Sequence, residues 1–512
     1  MLHGDVLGER ARLSPDKLAL VVVATGDRLT YRQLDERAVR CSRLLQERFG
    51  LRHGDRVAVL IGNRIEYFDF FFAAAKTGII LVPLSTRATA SELSFIVADC
   101  DAALLVYDGD HAGVVHELRT MVHVPACMAV DAPDAATDEA YAGLLGRLQA
   151  LPWTRTECDP EDTYALLYTS GTTGKPKGVM IPHRMIAWNA CNTVLSWQLR
   201  DDDVSPIFTP MYHAGGMTVF LTALLAIGGT VVLHSAFDAA EAWHTIEAEK
   251  CTVIFGVPTT WKMMLEAPEF RTVDLSHVRW CISGGAPLPV YLIDAYKKRG
   301  VVLKQGYGLT EVGVNCFAMS AEESETMKGS IGRPMLFTQA RCVGDDGLDV
   351  PTGEVGELLL KGPHVCTGYW KNPAATAASR DRDGWFHTGD LARRDAAGFF
   401  TIAGRKKDMI ISGGVNVYPA ELEGELLLHP AVQDAAVVGI PDETWGEVGV
   451  AFIVLLPGKS ASPEELAGFL AKKLAKYKLP KHWRFVQALP RTPYGKVVKG
   501  TLRDQFLAEP RS

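Results

Sequence analysis

The sequence has no stretch of about 20 uninterrupted apolar residues, the length a helix needs to cross a bilayer. Its greasiest early segment, Phe70 to Leu84, is broken by Lys76 and Pro83, and the run Thr218 to Leu233 is broken by Gly228-Gly229. Both read as buried helix-plus-strand pieces. No CxxC pair occurs: Cys342 and Cys366 are the closest two of the 10 cysteines, and none follows Cys366. A zinc site or thioredoxin-like centre therefore loses its sequence support, and reduced, packed thiols in a cytosolic protein fit better. Basic charge is not in excess either. With 53 Lys+Arg against 60 Asp+Glu the net charge is −7, which offers no general surface for nucleic acid or anionic lipid. The opening residues Met1 to Arg10 hold no apolar core of signal-peptide type. Repeats and low-complexity segments are absent as well, so a soluble cytoplasmic enzyme is the expectation.

What is there is ordinary globular composition: 512 residues, 47% hydrophobic and 22% charged. At roughly 150 residues per domain this length suggests about three domains. Short apolar runs alternate with helical patterns. Arg56 to Ile61 reads as a strand, Glu66 to Lys76 as a helix, and Ile79 to Val82 and Ala103 to Tyr107 as further strands. The same β-α-β order recurs near Thr230–Leu233, Val253–Phe255 and Val301–Lys304, which predicts an α/β fold with parallel or mixed sheets covered by helices. From about Cys342 the texture changes. Val355–Lys361, Gly398–Ile402 and Met409–Ile411, separated by Gly, Asp and Pro, resemble a β-rich subdomain. A compact α+β unit follows, with strands at Val432–Val438 and Val448–Leu455. A capping box at Ser462-Pro463-Glu464-Glu465 opens a helix reaching about Lys476. These shifts divide the chain into a large domain, 1–404, a hinge at 405–407, and a small domain, 408–512.

The densest chemical signal is Tyr168-Thr169-Ser170-Gly171-Thr172-Thr173-Gly174-Lys175-Pro176-Lys177-Gly178, after the apolar strand Tyr164–Leu167. Glycines admit backbone N–H groups to phosphate oxygens, Ser and Thr hydroxyls donate hydrogen bonds, and Lys175 and Lys177 bring charge: a polyanion cradle. It is not a Walker A loop, because Thr169 stands where the first glycine belongs and Pro176 follows Lys175. Nor is Gly306-Tyr307-Gly308-Leu309-Thr310-Glu311 a dinucleotide fingerprint, since Glu311 takes the last glycine's place.

The Thr169–Gly178 segment resembles the signature loop of the adenylate-forming enzymes, which include acyl- and aryl-CoA synthetases, luciferases and peptide-synthetase adenylation domains. The likeness runs from Leu29-Thr30-Tyr31 to Pro490-Arg491-Thr492-Pro493-Tyr494-Gly495-Lys496, with five further blocks in the family's order. It implies ATP and coenzyme A as co-substrates, Mg²⁺ as cofactor, a carboxylic acid as substrate and a mobile C-terminal domain. In the nucleotide site it implies Thr169, Ser170, Gly171, Thr172, Thr173, Gly174, Lys175 and Lys177 around phosphate, and Gly284, Gly285 and Ala286 against adenine. Tyr307 and Gly308 belong to the adenine block, with the Tyr307 ring stacked on the base. Thr310 donates to the α-phosphate, Glu311 ligates the metal, Asp390 accepts from the ribose hydroxyls, and Arg405 reaches ribose or phosphate. His213, in Pro210-Met211-Tyr212-His213-Ala214-Gly215-Gly216, is the implied gate of the acyl pocket. Lys407 is the implied hinge residue, Gly413 and Gly414 flank a pantetheine tunnel, and Lys496 bridges the acid and the nucleotide. Tyr494 departs from the commoner serine or threonine.

The implied chemistry is physically reasonable. A carboxylate is a poor acyl donor, so it attacks the α-phosphate of ATP to give acyl-adenylate and pyrophosphate, after which the thiol of coenzyme A takes the acyl group. Both first reactants are anions, which is why Lys496, Mg²⁺ at Glu311 and the cradle's donors must converge. Val257, Met263 and Met264, in a segment like that of bacterial fatty-acyl and aryl-CoA synthetases, and glycines near His213 and Tyr307 favour a medium- or long-chain fatty acid. An aryl carboxylate comes close behind. A stand-alone loader of a carrier protein is the nearest rival, although no carrier domain follows Lys496. A non-catalytic homologue and an oxygen-dependent, light-emitting enzyme are more distant ones. A homodimer is compatible with this sequence, which leaves the oligomeric state open.

Overall fold

The structure, a computed structural model, describes residues 4–131, 138–148, 153–169, 176–491 and 497–509. Its largest sheet has eight strands. Four of them, Arg56–Leu60, Ile80–Pro83, Leu104–Tyr107 and Thr163–Thr169, run parallel at its centre and are almost wholly buried, as near-continuous Val, Leu, Ile and Ala runs dictate. Thr163–Thr169 turns back antiparallel into Lys177–Pro182, so the Ser/Thr/Gly-rich segment joins the two arms of a hairpin. A second sheet orders Val204–Ile207, Thr230–Leu233, Leu18–Val22 and Arg28–Thr30, and a third aligns Val253–Gly256, Trp280–Ser283 and Leu303–Gln305 in parallel. The last of these begins later than the sequence suggests, because Gly300, at φ 75°, still belongs to the preceding turn.

The helix Ile65–Thr77 shows how the charged residues inside apolar runs are accommodated. Its face is apolar nearly all round and is buried from Tyr67 onward. Lys76 lies inside it but bonds Asp5 at 2.9 Å and Asp35 at 2.5 Å, while Asp69 holds Arg37 at 2.7 Å. A buried charge costs several kcal/mol unless so paired. Burial still pushes the Asp69 carboxyl up to about 6, against the pull of Arg37. None of the described helices is long and apolar enough to cross a membrane.

Beyond residue 338 a four-stranded antiparallel sheet forms from Gln339–Val343, Val355–Lys361, Phe386–Arg394 and Phe400–Arg405. The tight turn Lys406–Asp408 then leads into Ile410–Ser412, the first strand of a five-stranded sheet completed by Val415–Val417, Val432–Asp442, Gly446–Leu455 and His482–Phe485. Apolar layers cover both faces of that sheet. One is built on Leu422, Leu426, Leu466 and Leu470, the other on Val438, Val450, Leu489 and Leu502. The helix opened at Ser462 is shorter than expected, Pro463–Ala471, with Ala475 already extended. Its cap is half of the expected box: the Ser462 hydroxyl accepts from the Glu465 N–H, but the Glu465 carboxylate turns to His429 at 3.4 Å.

Candidate functional site

Most of the described residues singled out by the sequence fall on strand ends and turns, and a chain of contacts ties many of them together. The Val253–Gly256, Trp280–Ser283 and Leu303–Gln305 strands end side by side, presenting Gly284, Gly285 and Ala286 next to Gly306. Gly306 N–H donates to Ser283 O at 2.7 Å, and Gly285 sits at φ 79°, a backbone region glycine fills without strain. Gln305 fastens this corner. Its Nε2 donates to Gly306 O at 2.7 Å and its Oε1 accepts from Leu288 N–H at 2.6 Å, which fixes the turn that carries Ala286. Although Gln305 opens the block that holds Tyr307, residue type alone gave it no role.

Tyr307 donates its phenol O–H to Asp390 Oδ2 at 2.6 Å, and Arg405 Nε lies 3.2 Å from Asp390 Oδ1. The positions follow from register: Asp390 and Arg405 are direct partners on adjacent antiparallel strands. Asp390 is nearly buried, and its N–H is taken by Thr388 Oγ1 at 3.1 Å. Burial and the neighbouring carboxylate hold the Tyr307 phenol far above its usual range, so it remains a donor. A carboxylate carries about four acceptor positions, so each Asp390 oxygen retains capacity for one further donor.

Three residues beyond Tyr307, the tight turn Thr310–Val312 carries Thr310 and Glu311. Glu311 Oε1 accepts from Tyr369 O–H at 3.2 Å, and Cys366 N–H donates to Glu311 O at 2.7 Å. Lys177 Nζ stands 5.4 Å from the centre of the Tyr369 ring, within cation–π range. Thr169 and Lys177 face each other across the hairpin. Tyr369 therefore links the arm of the polyanion loop to the carboxylate of the expected metal ligand, with its phenol raised by burial and by Glu311. No local spacing announced it, since its partner lies 58 positions away. Ser170, Gly171, Thr172, Thr173, Gly174, Lys175 and Lys496 lie outside the described residues. The ends that flank Lys496 pair with each other, Arg491 with Val497, and Arg491 forms an ion pair with Asp434.

His213 caps the short helix Ala214–Thr218, its Nδ1 accepting from Gly215 N–H at 3.3 Å. The glycines beside it are explained differently from the sequence expectation. A Cβ on Gly216 would lie 2.3 Å from Pro210 O, and one on Gly308 would lie 2.3 Å from the Val314 carbonyl, so both are demanded by backbone packing rather than by room for a substrate chain. Gly215 and Gly284 instead leave space that the Phe255 ring occupies, a Cβ on either coming within 3.4 Å of that ring. The apolar residues expected around an acid also separate. Met264 is a core residue, whereas Met263 is 52% exposed, because neighbours on one helix point about 100° apart. Only Val257 borders the Gly285 turn, 3.8 Å from where a Cβ would be. A small, partly open cavity lies beside Thr310, lined also by Ala214, Met185, Met217, Val314 and Asn189, with about 20 Å³ free.

Farther along the chain, Lys406 pairs with Asp345 and Glu357, each at 3.2 Å, while Lys407 is exposed in the same turn. Gly413 and Gly414, at φ 58° and 78°, turn the chain between Ile410–Ser412 and Val415–Val417. Gly413 N–H donates to Trp445 O at 2.7 Å, and the Trp445 indole, 46% exposed, lies over Gly413 with Lys481 Nζ 5.5 Å from its ring centre. An exposed indole beside a cation forms a flat platform that the sequence did not flag.

Comparisons with known proteins cover nearly the whole chain. The AMP-binding enzyme family matches residues 7–370, and the AMP-binding enzyme C-terminal domain matches residues 421–496. The feruloyl-CoA synthase of an Amycolatopsis species is 40% identical over 499 residues, covering 97% of both chains. The long-chain-fatty-acid–CoA ligase FadD13 of Mycobacterium tuberculosis is 37% identical over 508 residues, covering 99% of this chain and 98% of its own. Among solved structures, ATP-bound MatB from Rhodopseudomonas palustris superposes with a TM-score of 0.89 at 30% identity, covering 99% of each chain.

Proposed function

Since the chain belongs to the AMP-binding enzyme family and is an AMP-forming acid–thiol ligase, we propose that its acid is an aromatic carboxylate, joined to coenzyme A through an acyl-adenylate. The observation that carries the aromatic choice is the short cavity beside Thr310. With about 20 Å³ free it accepts one small terminal group and does not accommodate a long alkyl chain without rearrangement. The feruloyl-CoA synthase relative supports the same class. The FadD13 relative favours a second reading, a medium- or long-chain fatty acid, for which Met185 and Met217 would have to swing aside.

In this scheme Asp390 accepts from the ribose hydroxyls of ATP, with Tyr307 and Arg405 fixing its orientation. Gly284, Gly285 and Ala286 form the wall against adenine, with Gly308 keeping the Tyr307 turn tight. Thr169, Ser170, Gly171, Thr172, Thr173, Gly174, Lys175 and Lys177 surround the phosphates, and Thr310 donates to the α-phosphate. Glu311 suits Mg²⁺, which is commonly held by one or two carboxylates together with substrate phosphates. Tyr369 orients that carboxylate from the far side. When bound, the ion would neutralise charge on the phosphates. His213, whose Nδ1 acts as acceptor for Gly215 N–H, stands at the mouth of the acid pocket.

The acid needs no general base, because it is already ionised. Its oxygen attacks the α-phosphorus, pyrophosphate leaves, and the Lys496 ammonium offsets the charge of two converging anions. In the second step the thiol sulfur adds to the acyl carbonyl, AMP departs and the thiol proton is released. The chain then divides into 1–404, a hinge at 405–407 turning about Lys407, and a mobile 408–512 that exchanges Lys496 for the Gly413-Gly414 face. Trp445 and Lys481 would receive the nucleotide end of coenzyme A at that face. A pyrophosphate-release screen across cinnamates, benzoates and alkanoic acids, with coenzyme A or a carrier protein as acceptor, tests all this. Cinnamates or benzoates turning over fastest with coenzyme A is the expected result; turnover confined to long alkanoates overturns the aromatic choice.

A further inference from the structure

We propose that His53, Cys158 and Asp162 form a binding site for a divalent transition metal of the zinc type, separate from the nucleotide site. One imidazole nitrogen, the thiol sulfur and a carboxylate oxygen lie within 4.8 Å of one another, the only such trio of donors among the described residues. His53 Nε2 and Asp162 Oδ2 are 2.9 Å apart although the residues are 109 positions apart, so no spacing along the chain announced the group. Around a tetrahedral zinc, with bonds of about 2.0–2.3 Å, neighbouring ligand atoms stand about 3.3–3.7 Å from each other. The 2.9 Å pair and the 4.8 Å limit bracket that spacing, so an ion fits after small side-chain shifts. Thiolate and imidazole together select zinc-like ions, whereas Mg²⁺ and Ca²⁺ take oxygen ligands.

The surroundings hold these donors in place, as the outer contacts of a metal site do. Asp159 N–H donates to Asp162 Oδ2 at 2.7 Å, Glu161 N–H donates to Asp159 Oδ1 at 2.9 Å, and His183 N–H donates to Asp162 O at 3.0 Å, which fixes the turn and its carboxylate. Gly78, at φ 72°, makes room for the imidazole: a Cβ there would stand 2.1 Å from His53 Cδ2. Cys158 is half-buried, while His53 and Asp162 reach solvent, which leaves a fourth ligand position to water. Arg155, the nearby cation in sequence, is turned onto Asp5 at 3.6 Å and Glu9 at 3.4 Å. On binding, the thiol gives up its proton to solvent and the sulfur bonds the metal. His53 precedes Arg56–Leu60 and Asp162 precedes Thr163–Thr169, two strands that both run parallel to Ile80–Pro83. The site therefore lies at the N-terminal ends of these strands. The polyanion loop leaves the opposite end of Thr163–Thr169, about 20 Å away at roughly 3.3 Å per residue. A metal here ties the segment before that strand to the sheet, so its effect falls on stability.

The test uses the full chain, stripped with EDTA and free of nucleotide and Mg²⁺, titrated with Zn²⁺ by calorimetry and with Co²⁺ by absorption. The wild type is expected to take up one ion per chain, to show a thiolate-to-cobalt charge-transfer band, and to melt at a higher temperature with Zn²⁺. Cys158→Ser is expected to lose the band and to bind Zn²⁺ about tenfold more weakly or worse. His53→Ala, at an exposed position, should weaken binding likewise and serves where the first variant fails to fold. Cys191→Ser, which alters a half-buried thiol elsewhere, should keep both band and affinity. A wild type without the band, a band that persists in Cys158→Ser, or Zn²⁺ affinity unaltered by the His53 and Cys158 variants overturns the inference. None of these outcomes touches the acid-activation reading.

Discussion

Asp390→Asn is the most informative single change in the nucleotide site. The amide keeps the size and shape of the carboxylate, so Tyr307 O–H still finds an acceptor, but the charge that holds Arg405 at 3.2 Å is gone. A hydrogen bond to a charged group contributes about 1.5–3 kcal/mol, a neutral one about 0.5–1.5. With two ribose hydroxyls donating to the same side chain, the loss is about 2 kcal/mol, which corresponds to roughly 30-fold weaker ATP binding. Isothermal titration with ATP reads the affinity directly, and a thermal melt reports whether the buried position tolerates the change. The KM for the acid should hold steady, since Asp390 is assigned to the ribose alone. An ATP affinity within about threefold of the wild type, with an unchanged melt, would refute the ribose assignment.

Tyr369→Phe keeps the ring over which Lys177 sits but removes the O–H that donates to Glu311, so more Mg²⁺ should be needed for half-maximal pyrophosphate release; an unaltered Mg²⁺ titration would show that Tyr369 does not orient that carboxylate. Lys304 is buried against the Trp280 ring at 3.8 Å, and burial, aided by Arg279, pushes its ammonium down to about 8. Its folded value lies below its unfolded one. Between about pH 8 and 10.5 the unfolded chain therefore holds more protons than the native state, and stability gains as pH rises through that window. Replacing it, Lys304→Met, should remove this alkaline gain and raise the urea midpoint at pH 7, and parallel pH profiles for both proteins would contradict it.

Fold class and family were legible because each depends on local pattern. Val355–Lys361 is bounded by turn residues and appears as a strand with those ends, and the buried central strands are apolar runs with little alternation. Residues whose meaning depends on distant partners were not legible. Tyr369 meets Glu311, Gln305 fastens the turn at Ala286, and Trp445 lies over Gly413. Glycine misled in a particular way: at positions 216 and 308 it answers to backbone atoms of its own loop, which no spacing rule distinguishes from an opening for substrate. The pair Met263 and Met264 misled because apolar character was read without helical phase.

The central claim is that charge is brought to the α-phosphorus by one lysine of the C-terminal part and withdrawn for the second half-reaction. Lys496→Ala, assayed separately for pyrophosphate release and for thioester formation from supplied acyl-adenylate, tests this most directly. The account predicts that the first falls by orders of magnitude while the second stays near wild type. An equal loss in both half-reactions, or a variant that still forms acyl-adenylate, would contradict it.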